Sequence, residues 1–140
     1  MTNSKTWRIS LAYNGQNFFG FQSQPDGNTI QDNLEKALTI ALRQPTKVIG
    51  GSRTDSGVHA EDQVCIFEGP ELDIRKTQLA LNALLPHGIN VTSLLEADLG
   101  FHPHRSSMGK IYRYRLWKSF CLDPFAASFV WEVKPEIDLI

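Results

Sequence analysis

The chain has 140 residues, 41% of them hydrophobic and 21% charged, and its formal net charge is -1. These values are ordinary for one soluble globular domain with a core of its own, and the chain is too short for two comfortable domains. The charge balance excludes a globally basic protein, so any nucleic-acid partner would have to bind a local patch of positive charge.

Cysteine usage and the two chain ends indicate where the protein works. Cys65 and Cys121 form no Cys-x-x-Cys motif and no metal-ligand spacing, which favours a reducing compartment over a disulfide framework. The first residues contain no apolar signal segment, and no later stretch approaches the length of a membrane span. We therefore expect a cytoplasmic protein with no membrane partner. The end, "WEVKPEIDLI", has no helix stop and no polar tail, which favours a fragment of a longer protein.

The first predicted elements are a strand, a long loop and a helix. Residues 7–13, "WRISLAY", alternate apolar and polar side chains as a strand does. The loop over residues 14–28 carries turn signals and three phenylalanines, at least two of which we expect to cap the core. Thr29 begins a helix with Asp32 at the capping-box position, and Pro45 ends it. Its predicted apolar face consists of Ile30, Leu34, Ala37, Leu38, Ala41 and Leu42.

The remaining elements complete a β-α-β-β-α-β order. Strands at residues 46–51 and 63–69 precede a helix capped by Asp73, whose apolar stripe is Ile74, Leu81 and Leu84 or Leu85. Further strands are predicted at residues 89–97, 110–117 and 128–133. This order is typical of a ferredoxin-like split βαβ fold. We expect an α+β domain with a mainly antiparallel sheet, two helices on one face and additional C-terminal strands.

The stretch "GSRTDSGVHA", residues 51–60, combines an arginine, an aspartate and a histidine with small residues. Asp55 could serve as a general base or as a nucleophile, and both roles need an ionised carboxylate. In an extended segment Arg53 and Asp55 project to the same side, where the guanidinium would hold the carboxylate in its charged form. The alternative interpretation is a polar turn with a surface ion pair.

Histidines allow less specific predictions. His59 could be a proton shuttle, but the residues favour a structural histidine that closes the loop by a hydrogen bond to the main chain. His102 and His104 lie two residues apart with no cysteine or acid nearby to complete a zinc site. The sequence therefore predicts no metal centre.

Residues 99–122 contain no aspartate or glutamate, and basic and aromatic side chains are interleaved there. Aromatic side chains that stack on bases, next to cations that bind phosphate, commonly hold unpaired nucleotides. The alternative is an amphipathic strand with its aromatic rings in the core and its arginines in water. The basic residues are Arg105, Lys110, Arg113, Arg115 and Lys118, and the aromatic ones include Tyr112, Tyr114 and Trp117.

These motifs, in this order, resemble the TruA-type tRNA pseudouridine synthases. "SRTDSGVHA" is similar to the signature G-R-T-D-x-G-V-H-A of that family. "YNGQNFFGFQSQ", "TIQDNLEKAL", "LNALLP" and "FHPHRSSMGKIYRYRL" resemble further family motifs and cover nearly the whole chain. Pro103-His104 stands where the family has Ala-Arg, and family members have a second, related half. The resemblance therefore implies that residues 1–140 form the first, ferredoxin-like half.

The resemblance also implies the roles of individual residues. Asp55 matches the catalytic aspartate, Arg53 matches the arginine that displaces or holds the target base, and Tyr112 matches the aromatic that stacks on the flipped uracil. The expected reaction isomerises uridines in the anticodon arm of tRNA without cofactor or metal, and the enzymes of the family are homodimers. Candidate RNA contacts are Arg105, Lys110, Arg113 and His59.

Two rival functions stay open from the residues alone. One is a non-catalytic RNA-binding domain of the same fold, which would have no use for Asp55. The other is a hydrolase that uses Asp55 and His59, in which loss of the histidine would abolish turnover.

Overall fold

The computed structural model describes residues 3–134, 136 and 138. Contacts within the chain define two compact units, Met1–Ser107 and Met108–Ile140. The apolar end on which the fragment prediction partly rests, Ile140, lies outside the described residues. Among the described residues, no helix has the length and apolar character needed to cross a membrane.

The first unit contains a four-stranded sheet and both helices. The elements are β1 Lys5–Tyr13, α1 Ile30–Leu42, β2 Val48–Gly50, β3 Ala60–Gly69, α2 Ile74–Leu84 and β4 Ile89–Glu96. Strand order in the sheet is β2-β3-β1-β4, and every neighbouring pair is antiparallel. Strands β1 and β2, which α1 connects, are separated in the sheet by β3, as the split βαβ pattern requires. The predicted α+β, ferredoxin-like fold is confirmed.

The core lies between the helices and one face of the sheet. Alternate residues of β1 (Trp7, Ile9, Leu11 and Tyr13) are buried, as the period of two in a strand dictates. They belong to one apolar cluster with buried residues of both helices. Burial of each large apolar side chain of this kind contributes roughly 1.5–3 kcal/mol to stability.

Helix α1 begins and ends where the sequence predicts. The Thr29 hydroxyl accepts a hydrogen bond from the Asp32 main-chain N–H at 3.1 Å and donates one to the Asp32 carboxylate at 2.6 Å. Partial burial opposes ionisation of Asp32, but hydrogen bonds from Ser23, Thr29 and Gln24 outweigh it and hold the pKa of the carboxyl below its usual value. At the other end Arg43 adopts the left-handed conformation, with φ of 55°, two residues before Pro45.

The apolar stripe of α2 was only partly predicted. Asp73 caps the helix, as expected, by accepting a hydrogen bond from the Lys76 main-chain N–H. Leu81 and Leu85 are buried, whereas Ile74 is 41% exposed and its predicted place in the core is wrong. Helix α2 packs on the edge strand β4, so its first turn does not reach the core.

The second unit holds a small parallel sheet of β5 (Leu116–Lys118) and β6 (Trp131–Val133). The predicted strand over 110–117 is wrong for residues 110–115, because β6 offers only three residues to pair with. Tyr112 and Tyr114 are 69% and 84% exposed, so the alternative of a strand with its aromatic rings in the core is also wrong. The strand predicted at 128–133 is confirmed over its last three residues.

The two helix caps allow a matched test of stability. Thr29→Ala should lower the free energy of unfolding by about 1–2 kcal/mol, because the buried hydroxyl satisfies the α1 N-terminus and also binds Asp32. Asp73→Ala removes an exposed cap with one bond and should cost about half as much, roughly 0.5–1 kcal/mol. Urea denaturation measures both, and an equal loss in the two variants would contradict the role given to Asp32.

Candidate active site

The Asp55 loop, residues 51–59, joins β2 to β3 and contains the signature residues. The Gly51 N–H donates to the Val64 carbonyl at 2.8 Å, which extends the antiparallel ladder by one residue beyond β2. Beyond Gly51, the main chain of the loop is hydrogen-bonded by the side chain of Gln63. Its amide oxygen accepts from the Ser52 N–H at 3.2 Å, and its amide nitrogen donates to the Ser52 carbonyl at 2.5 Å.

Burial alternates along the extended part of this loop. Ser52 and Thr54 are half-buried, whereas Arg53 and Asp55 are exposed. Thr54 is held at two points, since its hydroxyl bonds the Tyr13 hydroxyl at 2.7 Å and its carbonyl accepts from the Phe21 N–H at 2.9 Å. The alternation agrees with the expectation that Arg53 and Asp55 project to the same side.

No ion pair joins Arg53 to Asp55 in the part of the chain that the structure describes. This corrects both interpretations of the loop, because the surface ion pair is not formed and Arg53 is not a direct partner of the carboxylate. The Asp55 side chain also makes no hydrogen bond to another described residue. Its main-chain carbonyl, in contrast, accepts from the Val58 N–H at 3.1 Å and closes a turn. Gly57 occupies the third position of that turn with φ of 81°, a conformation that favours glycine.

His59 closes the loop, as its structural interpretation predicts. Its Nδ1 atom accepts a hydrogen bond from the Gly15 main-chain N–H at 3.0 Å. Gly15 is also in close contact with the loop, since a Cβ atom there would lie 2.0 Å from the Val58 carbonyl oxygen. The structural interpretation of His59 is confirmed, and its contact with RNA stays a prediction.

The phenylalanine loop of residues 14–28 packs against the Asp55 loop. Phe18 and Phe21 are buried and Phe19 is 56% exposed, which confirms that at least two of the three cap the core. Gly20 has φ of 79°, and a Cβ atom there would lie 3.0 Å from the Thr54 carbonyl oxygen. The two loops are therefore fixed against each other by main-chain contacts.

A turn at residues 102–106 contacts the start of the Asp55 loop. His104 Nδ1 lies 3.3 Å from the Gly51 carbonyl oxygen, and a Cβ atom on Gly51 would lie 2.9 Å from the Pro103 carbonyl oxygen. His102 Nδ1 accepts from the main-chain N–H groups of His104 and Arg105 at 3.2 and 3.3 Å, so it organises the turn. Arg105 is exposed.

The candidate residues fall into both units. Arg53, Asp55, His59 and Arg105 lie in the first unit, and Lys110, Tyr112 and Arg113 lie in the second, all three exposed. Among the described residues, no group of three or more His, Cys, Asp or Glu side chains could hold a metal ion.

Sequence reasoning missed the supporting residues Tyr13, Gln63 and His104. The signal for Gln63 was present, because a glutamine stands at a core-facing position of β3, in phase with Cys65 and Phe67. Nothing in the local pattern pointed to the bond between His104 and Gly51, because 53 residues separate them.

Residues 9–104 match a family model described as tRNA pseudouridine synthase. The chain belongs to this family. Its resemblance to the TruA-type synthases is confirmed, and the match includes β1 from residue 9 onward, both helices and the whole Asp55 loop. Tyr112 lies beyond the matched range.

Individual relatives carry the same family name. The protein named tRNA pseudouridine synthase A of Aquifex aeolicus is 39% identical over 132 residues, which are 93% of this chain and 54% of that protein. Its counterpart in Latilactobacillus sakei is 40% identical over 138 residues, 97% of this chain and 55% of that protein. The chain thus spans about half the length of the curated relatives that it matches.

The close approach at Gly15 can be tested by adding one methyl group. Gly15→Ala should lower the free energy of unfolding by about 1–3 kcal/mol, because the new Cβ atom would overlap the Val58 carbonyl and push the loop away. Gly109→Ala is the control, since a Cβ atom at Gly109 meets nothing within 4 Å. Thermal unfolding followed by circular dichroism measures both, and an unchanged midpoint in Gly15→Ala would contradict the packing of the two loops.

Proposed function

We propose that this chain provides the catalytic aspartate of a tRNA pseudouridine synthase that isomerises uridines in the anticodon arm. The observation that carries the proposal is the state of Asp55. Its carboxylate is exposed and has no partner among the described residues, although the loop around it is fixed. Tyr13 bonds the Thr54 hydroxyl, and the N–H groups of Phe21 and Val58 bond the carbonyls of Thr54 and Asp55. A charged group held in place but left unpaired is available to a substrate.

The proposed reaction breaks the N-glycosidic bond of uridine, rotates the uracil and rejoins it to the ribose through carbon. All atoms of the product are already present in the substrate, so the isomerisation needs no redox partner and no group donor. Asp55 either attacks the nucleoside or removes a proton from it, and both steps require the carboxylate form. The proposal includes no cofactor.

Arg53 and Tyr112 are proposed to handle the base. A uridine within a stem must leave the stack, which costs a few kcal/mol. Arg53 is exposed two residues before Asp55 and can occupy or hold the displaced position. Tyr112 is 69% exposed, so the face of its ring is accessible for stacking, a contact worth roughly 1–3 kcal/mol for each base.

The proposed RNA contacts supply positive charge locally. Arg105, Lys110 and Arg113 are exposed, and His59 is half-buried at the end of the Asp55 loop. A polyanionic partner requires such a patch because the whole chain has a net charge of -1. The partner is proposed to be tRNA, the location the cytoplasm, and the assembly a homodimer.

Asp55→Asn tests the catalytic role. Pseudouridine formation on unmodified tRNA should fall below detection, because an amide can neither attack nor accept the proton, while tRNA affinity should stay equal or become tighter. Mass spectrometry of the digested tRNA measures the product, and a filter-binding titration measures affinity.

A control variant and the rival functions give this experiment distinct outcomes. Asp26→Asn, which removes the same charge from a different exposed loop, should leave both quantities unchanged. Undiminished pseudouridine formation in Asp55→Asn would remove the aspartate from the mechanism. Tight tRNA binding by a wild-type chain that forms no pseudouridine would instead favour the non-catalytic RNA-binding domain. Loss of turnover in His59→Ala as well as in Asp55→Asn would favour the hydrolase.

Salt dependence tests the proposed phosphate contacts. The logarithm of tRNA affinity should fall linearly with the logarithm of salt concentration, because bound cations are released from the phosphates. Replacing Arg105, Lys110 or Arg113 by glutamine should each reduce the slope by about 1. Lys36→Gln, an exposed charge on α1, is the control and should keep the slope of the wild type. An affinity that is flat between low and moderate salt would contradict the patch.

A further inference from the structure

We propose that Gln63 is a positioning residue that sets the direction of Arg53 and Asp55 through the main chain of the loop. The inference rests on the proposed function to the extent that Asp55 is catalytic. Gln63 is 4% exposed and lies on β3, outside the signature loop.

The Gln63 side chain binds the main chain at the point where the β-ladder ends. In the register of β2 and β3, Gly50 pairs with Cys65 and the next rung joins Gly51 to Val64, so Ser52 comes opposite Gln63. Because Gly51 and Val64 form a hydrogen-bonded pair, the next pair, Ser52 and Gln63, is one that the ladder does not join through the main chain. The Gln63 amide binds Ser52 instead, accepting from its N–H and donating to its carbonyl. The main chain can therefore leave the sheet at Ser52 without losing its hydrogen bonds.

A second link reaches Thr54. The Gln63 amide nitrogen also lies 3.4 Å from the Tyr13 hydroxyl, which in turn bonds the Thr54 hydroxyl at 2.7 Å. Burial raises the pKa of Tyr13, and its hydrogen bonds with Thr54 and Gln63 only partly oppose this, so the hydroxyl stays neutral. The residues on both sides of Arg53 are thus held by one buried polar pair.

The direction of the exposed side chains follows from these two links. When Ser52 and Thr54 face inward in an extended segment, the residues that alternate with them must face outward. A buried amide is costly unless it is hydrogen-bonded, and an apolar side chain would fill this core position without that cost. The two bonds to Ser52 explain why a glutamine stands at this position, because only a side chain that both donates and accepts can bind the Ser52 N–H and carbonyl together.

Gln63→Met tests the link without activity. Methionine has similar length but no hydrogen-bonding amide, so hydrogen exchange at the Ser52 amide should accelerate by about tenfold or more, while the Gly51 amide stays protected by Val64. Gln78→Met is the matched control, because Gln78 also donates to a main-chain carbonyl, that of Val91 at 3.1 Å, on the far edge strand. Unchanged exchange at Ser52 would overturn the proposal.

Kinetics test the consequence for catalysis. In Gln63→Met, kcat for pseudouridine formation should fall by about tenfold to a hundredfold, since a small misplacement of a reacting group has effects of that size. KM for tRNA should stay within about twofold, because the phosphate contacts are unchanged. Tyr13→Phe, which frees only Thr54, should give a smaller fall in kcat, and Gln78→Met none. An equal loss in Gln63→Met and Gln78→Met would indicate general destabilisation and overturn the proposal.

The two proposals fail in different ways. A wild-type chain that forms no pseudouridine would count against the proposed function, and exchange at Ser52 would still decide the role of Gln63. Should Gln63→Met fail to fold, Gln63→Glu keeps the side-chain shape and the acceptor for the Ser52 N–H but loses the donor when ionised. It should show an intermediate kcat with the Ser52 amide still protected, and a wild-type kcat in this variant would overturn the role of Gln63.

Discussion

The site depends on how the main chain of the Asp55 loop is satisfied once it leaves the sheet. A loop that departs from a strand exposes N–H and C=O groups that need partners, and an unpaired buried group costs about 1–3 kcal/mol. Here the partners are Gln63 at Ser52, the Phe21 N–H at Thr54, and the turn bond within the loop at Asp55. All of these bonds involve main-chain groups of the loop, so none of them uses the Asp55 carboxylate, which is available for other contacts.

The support for this loop can be followed back to the start of α1. The main-chain N–H groups of Ile30 and Gln31, in the first turn of the helix, donate to the carbonyls of Gly20 and Phe21 at 3.0 and 2.9 Å. The phenylalanine loop thus serves as a cap for α1 and as a wall for the Asp55 loop at the same time. A change at Thr29, far from Asp55 in sequence, acts on the same set of contacts.

Elements with a local signal could be predicted from the sequence, and contacts between distant segments could not. The alternation in β1 depends on a few neighbouring residues. The caps at Thr29 and Asp73 are equally local, and they located both helices. Residues 110–115 alternate just as well, but a strand also needs a partner, and no sequence pattern shows that β6 is three residues long. In the site, spacing drew attention to Arg53 and Asp55, whereas the bond from Gln63 to Ser52 depends on the register of two strands.

The negative charge of Asp55 distinguishes a catalytic site from a module that only binds RNA. A module that only holds phosphates gains from cations such as Arg53 and Arg105, and an exposed carboxylate on the same unit weakens that field. Such an anion would be expected to be neutralised by a nearby guanidinium or replaced by a neutral residue. Here the loop presents it without an ion pair and fixes the main chain on both sides. This arrangement lowers the attraction for RNA, and the proposed function supplies a compensating use for it, because attack on a nucleoside or removal of its proton needs the carboxylate itself.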